Sequence, residues 1–172
     1  MNTLRGKRNK RGSTIADTPI TLWLLFLGLT LPLMDLASIT MRYTFLLAAA
    51  RDGAFAASRE TSYTLADAAL KASVNNTASS FTGITVNSIQ TNVVTTNVIT
   101  KAVTRQATKL GSPANPNLNL YQIEAQVTGT IQPFINMGGL TSIVPNVPGV
   151  TAPVTTAVTC REYFENPQGL NQ

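Results

Sequence analysis

The sequence contains no histidine and only one cysteine, Cys160, among its 172 residues. Because Ser-His-Asp and Cys-His catalysis both need an imidazole base, these chemistries are excluded. A single thiol cannot complete a tetrahedral zinc shell or form a disulfide within the chain, so we expect no metal or other cofactor. Cys160 is expected on the apolar face of a strand, with a disulfide to a partner as the alternative.

Charged residues are scarce, at 12% of the chain, and their distribution is uneven. Five positive residues fall within the first twelve positions: Arg5, Lys7, Arg8, Lys10 and Arg11. The other eight Lys and Arg are balanced by eight Asp and Glu. Nucleic-acid binding needs a basic face on a folded domain and is therefore not expected. Residues 1–12 are instead predicted to be a cytoplasmic leader that sets membrane topology, or alternatively a polybasic contact with membrane lipid.

One long apolar run, residues 18–34, lies between Asp17 and Asp35. As a helix it spans roughly 26 Å, which is close to the thickness of the hydrocarbon core of a bilayer. We predict a transmembrane helix over residues 13–41, with its N-terminus in the cytoplasm. A cleaved secretory signal is the alternative, but the run is long for one and "LLAAA" lies far beyond it.

The helix is predicted to continue as a stalk over residues 42–75, because few helix breakers occur there. Pro19 and Pro32, inside the apolar run, are expected to bend or loosen it. Small residues recur at helical spacing in the stalk: Ala49, Gly53 and Ala56 or Ala57. They predict either packing against the chain's own domain or close packing between helices of different subunits.

Residues 76–172 are predicted to form an extracytoplasmic β-rich domain. The stretches "TGITVNSIQ" and "NVVTTNVITKAV" each indicate a strand, and the residues after Tyr121 alternate apolar and polar until Pro133. Residues 111–119 and 138–153 indicate loops, and 154–164 a last strand. The fold class is therefore α+β: a long N-terminal transmembrane and stalk helix followed by a small antiparallel β-sheet domain.

The acidic residues of this domain do not indicate catalysis. Glu124 falls on the polar face of its strand and is predicted to be solvated. Glu162 and Glu165 are close in sequence but form no recognisable acid–base pair. We therefore do not expect an enzyme.

The N-terminal third resembles the TadE-like family of pseudopilins, which are minor subunits of Tad pili in the type IV filament class. The resemblance covers about residues 5–60: the basic leader, "RGSTIADT", the apolar helix, Asp35 and "AAARDGAFAAS". The chain departs from the family at Asp17, where Glu is usual, and at Thr18, where processed members often have an aromatic residue.

The resemblance implies cleavage by a prepilin peptidase between Gly12 and Ser13. It also implies pairing in a filament or between helices at Asp17, Asp35, Arg51 and Asp52. An acid near the new Ser13 ammonium would lower the cost of placing both charges in an apolar environment. Asp17 is alternatively a helix N-terminal acid favoured by the macrodipole, and Asp35 an interfacial acid. Arg42 lies roughly 10 Å from Asp35 along the axis, so no direct contact between them is expected.

These features together imply a minor pilin or pseudopilin of the bacterial inner membrane, or of the pilus itself. It would take part in Tad pilus assembly, and so in adhesion and surface colonisation. Its partners would be other pilin subunits, a platform membrane protein, the prepilin peptidase and membrane lipid. The alternative is a single-pass, membrane-anchored binding protein of the envelope that is neither processed nor assembled into a filament.

Overall fold

The computed structural model of the chain describes residues 13–135 and 147–172, with side chains from residue 18 onward. It contains two helices and a four-stranded sheet: α1 Ser13–Ser58, α2 Tyr63–Ser79, β1 Ile84–Asn97, β2 Val103–Gln106, β3 Asn119–Ile131 and β4 Val154–Tyr163. A short 3₁₀ helix, Pro167–Asn171, follows β4. The predicted α+β fold, with a long N-terminal helix before a small antiparallel sheet, is confirmed.

The predicted stalk over residues 42–75 is not one helix. α1 continues through Pro19 and Pro32 but ends at Ser58, and α2 then packs back against it. The Ser62 hydroxyl caps α2 by accepting the Leu65 N–H at 3.3 Å. At the other side of the break, the Glu165 N–H donates to the Ser58 carbonyl at 2.9 Å. Polar groups, rather than glycine or proline, therefore satisfy the backbone at this break.

The sheet has the order β2-β1-β3-β4, and every neighbouring pair is antiparallel. The two strands predicted at 82–90 and 92–103 form mainly one strand, β1, with an irregularity between Val86 and Ser88. β1 then turns into β2, and in this turn the Asn97 carboxamide accepts the N–H groups of Ile99 and Thr100. The continuity of β1 follows from its pairing with β3 along its whole length.

One face of the sheet packs against both helices. The predicted alternation in β3 is confirmed there, since Tyr121, Ile123, Ala125, Val127 and Ile131 are all buried. The helices contribute Leu46, Leu70 and several alanines to the same core. The last strand, predicted at 154–164, is observed as β4, and it lies at the edge of the sheet nearest to β3.

Candidate functional site

The first part of α1 presents its apolar side chains outward. Most large apolar residues between 20 and 34 are exposed, including Trp23 and Phe26, which pack edge to face at 6.4 Å between ring centroids. The helix over Thr18–Ser58 has a mean hydropathy of 1.9 in its most apolar window. By length and composition it is able to span a membrane.

Exposed apolar side chains of α1 also occur past Asp35, where Thr40, Thr44, Arg51 and Asp52 are exposed beside them. Leu36, Met41, Tyr43, Leu47 and Phe55 are all at least 39% exposed. From Thr18 to Phe55 the helix rises about 56 Å, whereas a hydrocarbon core is about 30 Å thick. A bilayer would therefore cover only part of these side chains.

Asp35 and Arg42 both bind the segment that follows β3. Asp35 is 1% exposed, and its Oδ1 accepts the Ile135 N–H at 2.8 Å. Among the described residues its Oδ2 has no hydrogen-bond partner. Arg42 donates to the Gln132 carbonyl and, as expected, does not pair with Asp35. Asp35 thus has a partner in its own chain, which neither of the two alternatives for this residue predicted.

The other residues named by the family resemblance do not gather into one site. Asp52 accepts a hydrogen bond from Thr77 of α2 at 3.4 Å, and Arg51 is exposed. About 24 Å of helix separates Asp35 from Arg51. Ser13 is the first residue of α1, whereas Gly12 and the rest of the leader lie outside the described residues, as does the side chain of Asp17.

The small residues of α1 pack inside the chain. Ala49 and Gly53 are buried, and Ala56 is half-buried. A Cβ on Gly53 would lie 2.5 Å from Val74 Cγ2 and 3.2 Å from the Leu70 carbonyl oxygen, both in α2. In this structure Ala49 and Gly53 therefore serve the contact of α1 with the chain's own domain.

Gly53→Ala is accordingly expected to lower the stability of the α1–α2 contact by about 1–3 kcal/mol, because the branched Val74 side chain has little freedom to move away. Helix propensity alone would favour alanine by about 1 kcal/mol. Gly28→Ala is the matched control, since a Cβ there meets nothing within 4 Å. Thermal unfolding of the full chain in detergent compares the two variants. Equal melting temperatures of Gly53→Ala and Gly28→Ala would contradict a clash between the new Cβ and Val74.

Glu124 is the largest departure from the sequence analysis, which placed it in solvent. Its side chain is fully buried, on the face of the sheet away from the helices. Oε2 accepts from Arg105 Nη2 at 2.9 Å and from Arg161 Nε at 2.6 Å, and Oε1 accepts from Asn92 Nδ2 at 3.0 Å. The strand register aligns Asn92, Glu124 and Arg161 in one row across β1, β3 and β4. Donors engage both carboxylate oxygens, which gives this cluster a structural role.

Sequence reasoning missed this cluster because each member comes from a different strand. A carboxylate in a strand with period-two alternation gives no signal about its cross-strand neighbours until the register is known. Glu165, by contrast, lies at the surface, 3.9 Å from Arg59.

Cys160 is a free, half-buried thiol on the helix-facing side of β4. Its Sγ lies 3.8 Å from the Leu47 carbonyl oxygen. Burial raises the pKa of this thiol, Arg51 lowers it in part, and Glu162 raises it. The expectation of a cysteine on a core-facing strand position is consistent with this placement.

Alkylation of Cys160 is therefore expected to have a pH midpoint above that of an exposed cysteine, because the thiolate is the reactive species. Arg51→Met should move the midpoint further up, and Glu162→Gln should move it down. The pH midpoint separates this effect from simple steric shielding, which lowers the rate at every pH. A pH midpoint at or below that of an exposed cysteine would contradict the raised pKa of Cys160.

Searches with this chain find no matching family model, no matching curated protein and no matching solved structure. The resemblance to TadE-like pseudopilins therefore rests on the residues quoted for it.

Proposed function

We propose that this chain is a minor pilin or pseudopilin that takes part in the assembly of a Tad pilus, and so in adhesion and surface colonisation. The observation that carries this proposal is that exposed apolar side chains of α1 extend from Ile20 to Phe55, beyond the length of helix that a bilayer core of about 30 Å covers. Packed helices of neighbouring subunits would cover the apolar side chains that lie beyond the bilayer.

In the proposed orientation the basic leader stays in the cytoplasm and α1 crosses the inner membrane. α2 and the sheet then lie outside. Lys and Arg beside an apolar helix favour retention on the cytoplasmic side. Other pilin subunits and a platform membrane protein would contact α1, and the prepilin peptidase would cut between Gly12 and Ser13.

A second candidate, an unprocessed envelope-anchored binding protein, is favoured by a different observation. Ala49 and Gly53 are buried against the chain's own domain, and Asp35 is bound to Ile135. Residues that would contact neighbouring subunits in a filament are thus already engaged. This candidate predicts an intact N-terminus and no association with filament subunits.

The intact mass and N-terminal sequence of the membrane-extracted chain separate the two candidates. We expect a chain beginning at Ser13 when the peptidase is present and at Met1 when it is absent. Gly12→Leu should block the cut, while Gly6→Leu, in the same leader, should leave it unchanged.

Photo-crosslinking tests the contact surface separately. A crosslinking residue at Leu47 should capture a pilin subunit, whereas one at the exposed Thr159 of β4 should not. An uncut chain that captures no subunit from Leu47 would overturn the filament role in favour of the fixed anchor.

A further inference from the structure

A groove runs along α1 where the helix emerges from its most apolar part. It has a volume of about 470 Å³, and its walls include Met34 and Met41 of α1, Phe81 and Phe134. Phe45 closes one end by stacking on Phe81 at 3.8 Å between ring centroids. The volume falls within the range of about 300–1,000 Å³ that is typical of small-molecule sites.

The groove follows the axis of α1. Its contacts with α1 extend from Met34 to Phe45, a rise of about 16 Å. An extended hydrocarbon chain can lie along this length.

The height of the groove matches the outer boundary of a bilayer. If the hydrocarbon core begins at Thr18, it ends near Ala37, because twenty residues of helix span its thickness of about 30 Å. Met34 then lies inside the core, and Arg42 lies about 8 Å beyond Ala37. The headgroup layer is roughly 5–8 Å thick on each side, so Arg42 lies at the level of the lipid phosphates.

Arg42 is the one charged residue among the described residues that line the groove. Its guanidinium donates to the Gln132 carbonyl and lies against Gly83. A Cβ on Gly83 would be 2.5 Å from the Cζ of Arg42. Guanidinium N–H groups pair well with phosphate. The nearest acid on α1, Asp35, is enclosed and occupied by Ile135.

We propose that this groove binds one phospholipid of the outer leaflet. An acyl chain lies along Met34 and Met41, and the phosphate contacts Arg42. The flexible methionines adapt to an irregular apolar ligand. The proposal rests on the membrane span of the proposed function, but it does not depend on assembly into a filament.

Native mass spectrometry of the full chain, extracted in detergent with added phosphatidylglycerol, tests the proposal. The wild-type chain is expected to retain one lipid. Arg42→Gln should lower retention at least about ten-fold, as loss of a charge-assisted hydrogen bond implies. Met41→Trp should lower it similarly by filling the groove, and it replaces an exposed side chain, so folding is preserved.

Two controls change similar residues away from the groove. Lys71→Gln removes a positive charge on α2, and Leu36→Trp adds bulk at an exposed position of α1; neither should change retention. Equal retention by the wild type and Met41→Trp would overturn the proposal. So would a crosslinking residue at Ser38 that captures protein instead of lipid.

Alkaline carbonate extraction distinguishes the two levels of failure. A chain that carbonate releases is not embedded, and both the span and the lipid site then fail. A chain that stays in the membrane but retains no lipid leaves the span intact and refutes the lipid site alone.

Discussion

Replacing Arg105 and Arg161 together with methionine is expected to lower the free energy of unfolding by about 3–5 kcal/mol, the usual cost of leaving a buried charge without its partners. The double variant leaves the Glu124 carboxylate fully buried with only the Asn92 amide as a donor. The two arginines are themselves about half-exposed and can return to water when Glu124 is removed. Glu124→Gln should therefore cost less, about 1–3 kcal/mol.

The decisive variant adds Glu124→Leu to the double arginine change. Because it removes the unpaired charge, it should recover most of the lost stability, even though it introduces a third substitution. Lys71→Met is the matched control, since Lys71 pairs with Asp67 at the surface and should cost at most about 1 kcal/mol. Unfolding of the full chain in detergent, followed by far-ultraviolet circular dichroism, gives the comparison. A triple variant no more stable than the double would refute the buried-charge explanation.

Gly169→Ala is expected to displace the C-terminal 3₁₀ helix and to cost about 2–4 kcal/mol. A Cβ at this position would lie 1.7 Å from the carbonyl oxygen of Thr61, in the link between α1 and α2. The backbone fixes the position of the alanine Cβ, and its neighbour is a backbone oxygen, so no side-chain rotation relieves the clash. The displaced segment would expose Leu170, which is fully buried, and break the 2.8 Å hydrogen bond from the Leu110 N–H to the Leu170 carbonyl.

Gly111→Ala is the control for this substitution, because a Cβ there meets nothing within 4 Å. Hydrogen exchange should show loss of protection at the Leu110 amide in Gly169→Ala only. If the two alanine variants have the same stability and the same protection at Leu110, the close contact at Thr61 is not needed for the fold.

Local sequence patterns predicted the structure correctly where burial of one face of a single helix or strand determines it. The alternation in β3 placed Ile123, Ala125 and Val127 in the core correctly, because burial on one face of a strand imposes a period of two. The long apolar helix was predictable for a similar reason. The helix break at Ser58 was not, since its cap and its closing hydrogen bond from Glu165 involve no glycine or proline in the link.

The residues that required tertiary structure are those whose partners lie far along the chain. Ile135 is 100 residues from Asp35, and Arg161 is 37 residues from Glu124. A carboxylate in a sequence looks solvated or interfacial until such a partner is known. The same holds for Gly53, whose neighbour Val74 faces it only because the predicted stalk folds into a hairpin.

The continuity of α1 also fixes the rotational orientation of the sheet domain about the helix axis. The sheet domain contacts α1 from Asp35 onward. The same helix, which has 46 residues and is about 69 Å long, includes the apolar run without a break. One residue inserted between 28 and 34 would turn the domain by about 100° and raise it by about 1.5 Å. Seven inserted residues would raise it by about 10 Å yet return it to within about 20° of its original direction. The direction in which the sheet domain faces thus depends on the number of residues in this helix.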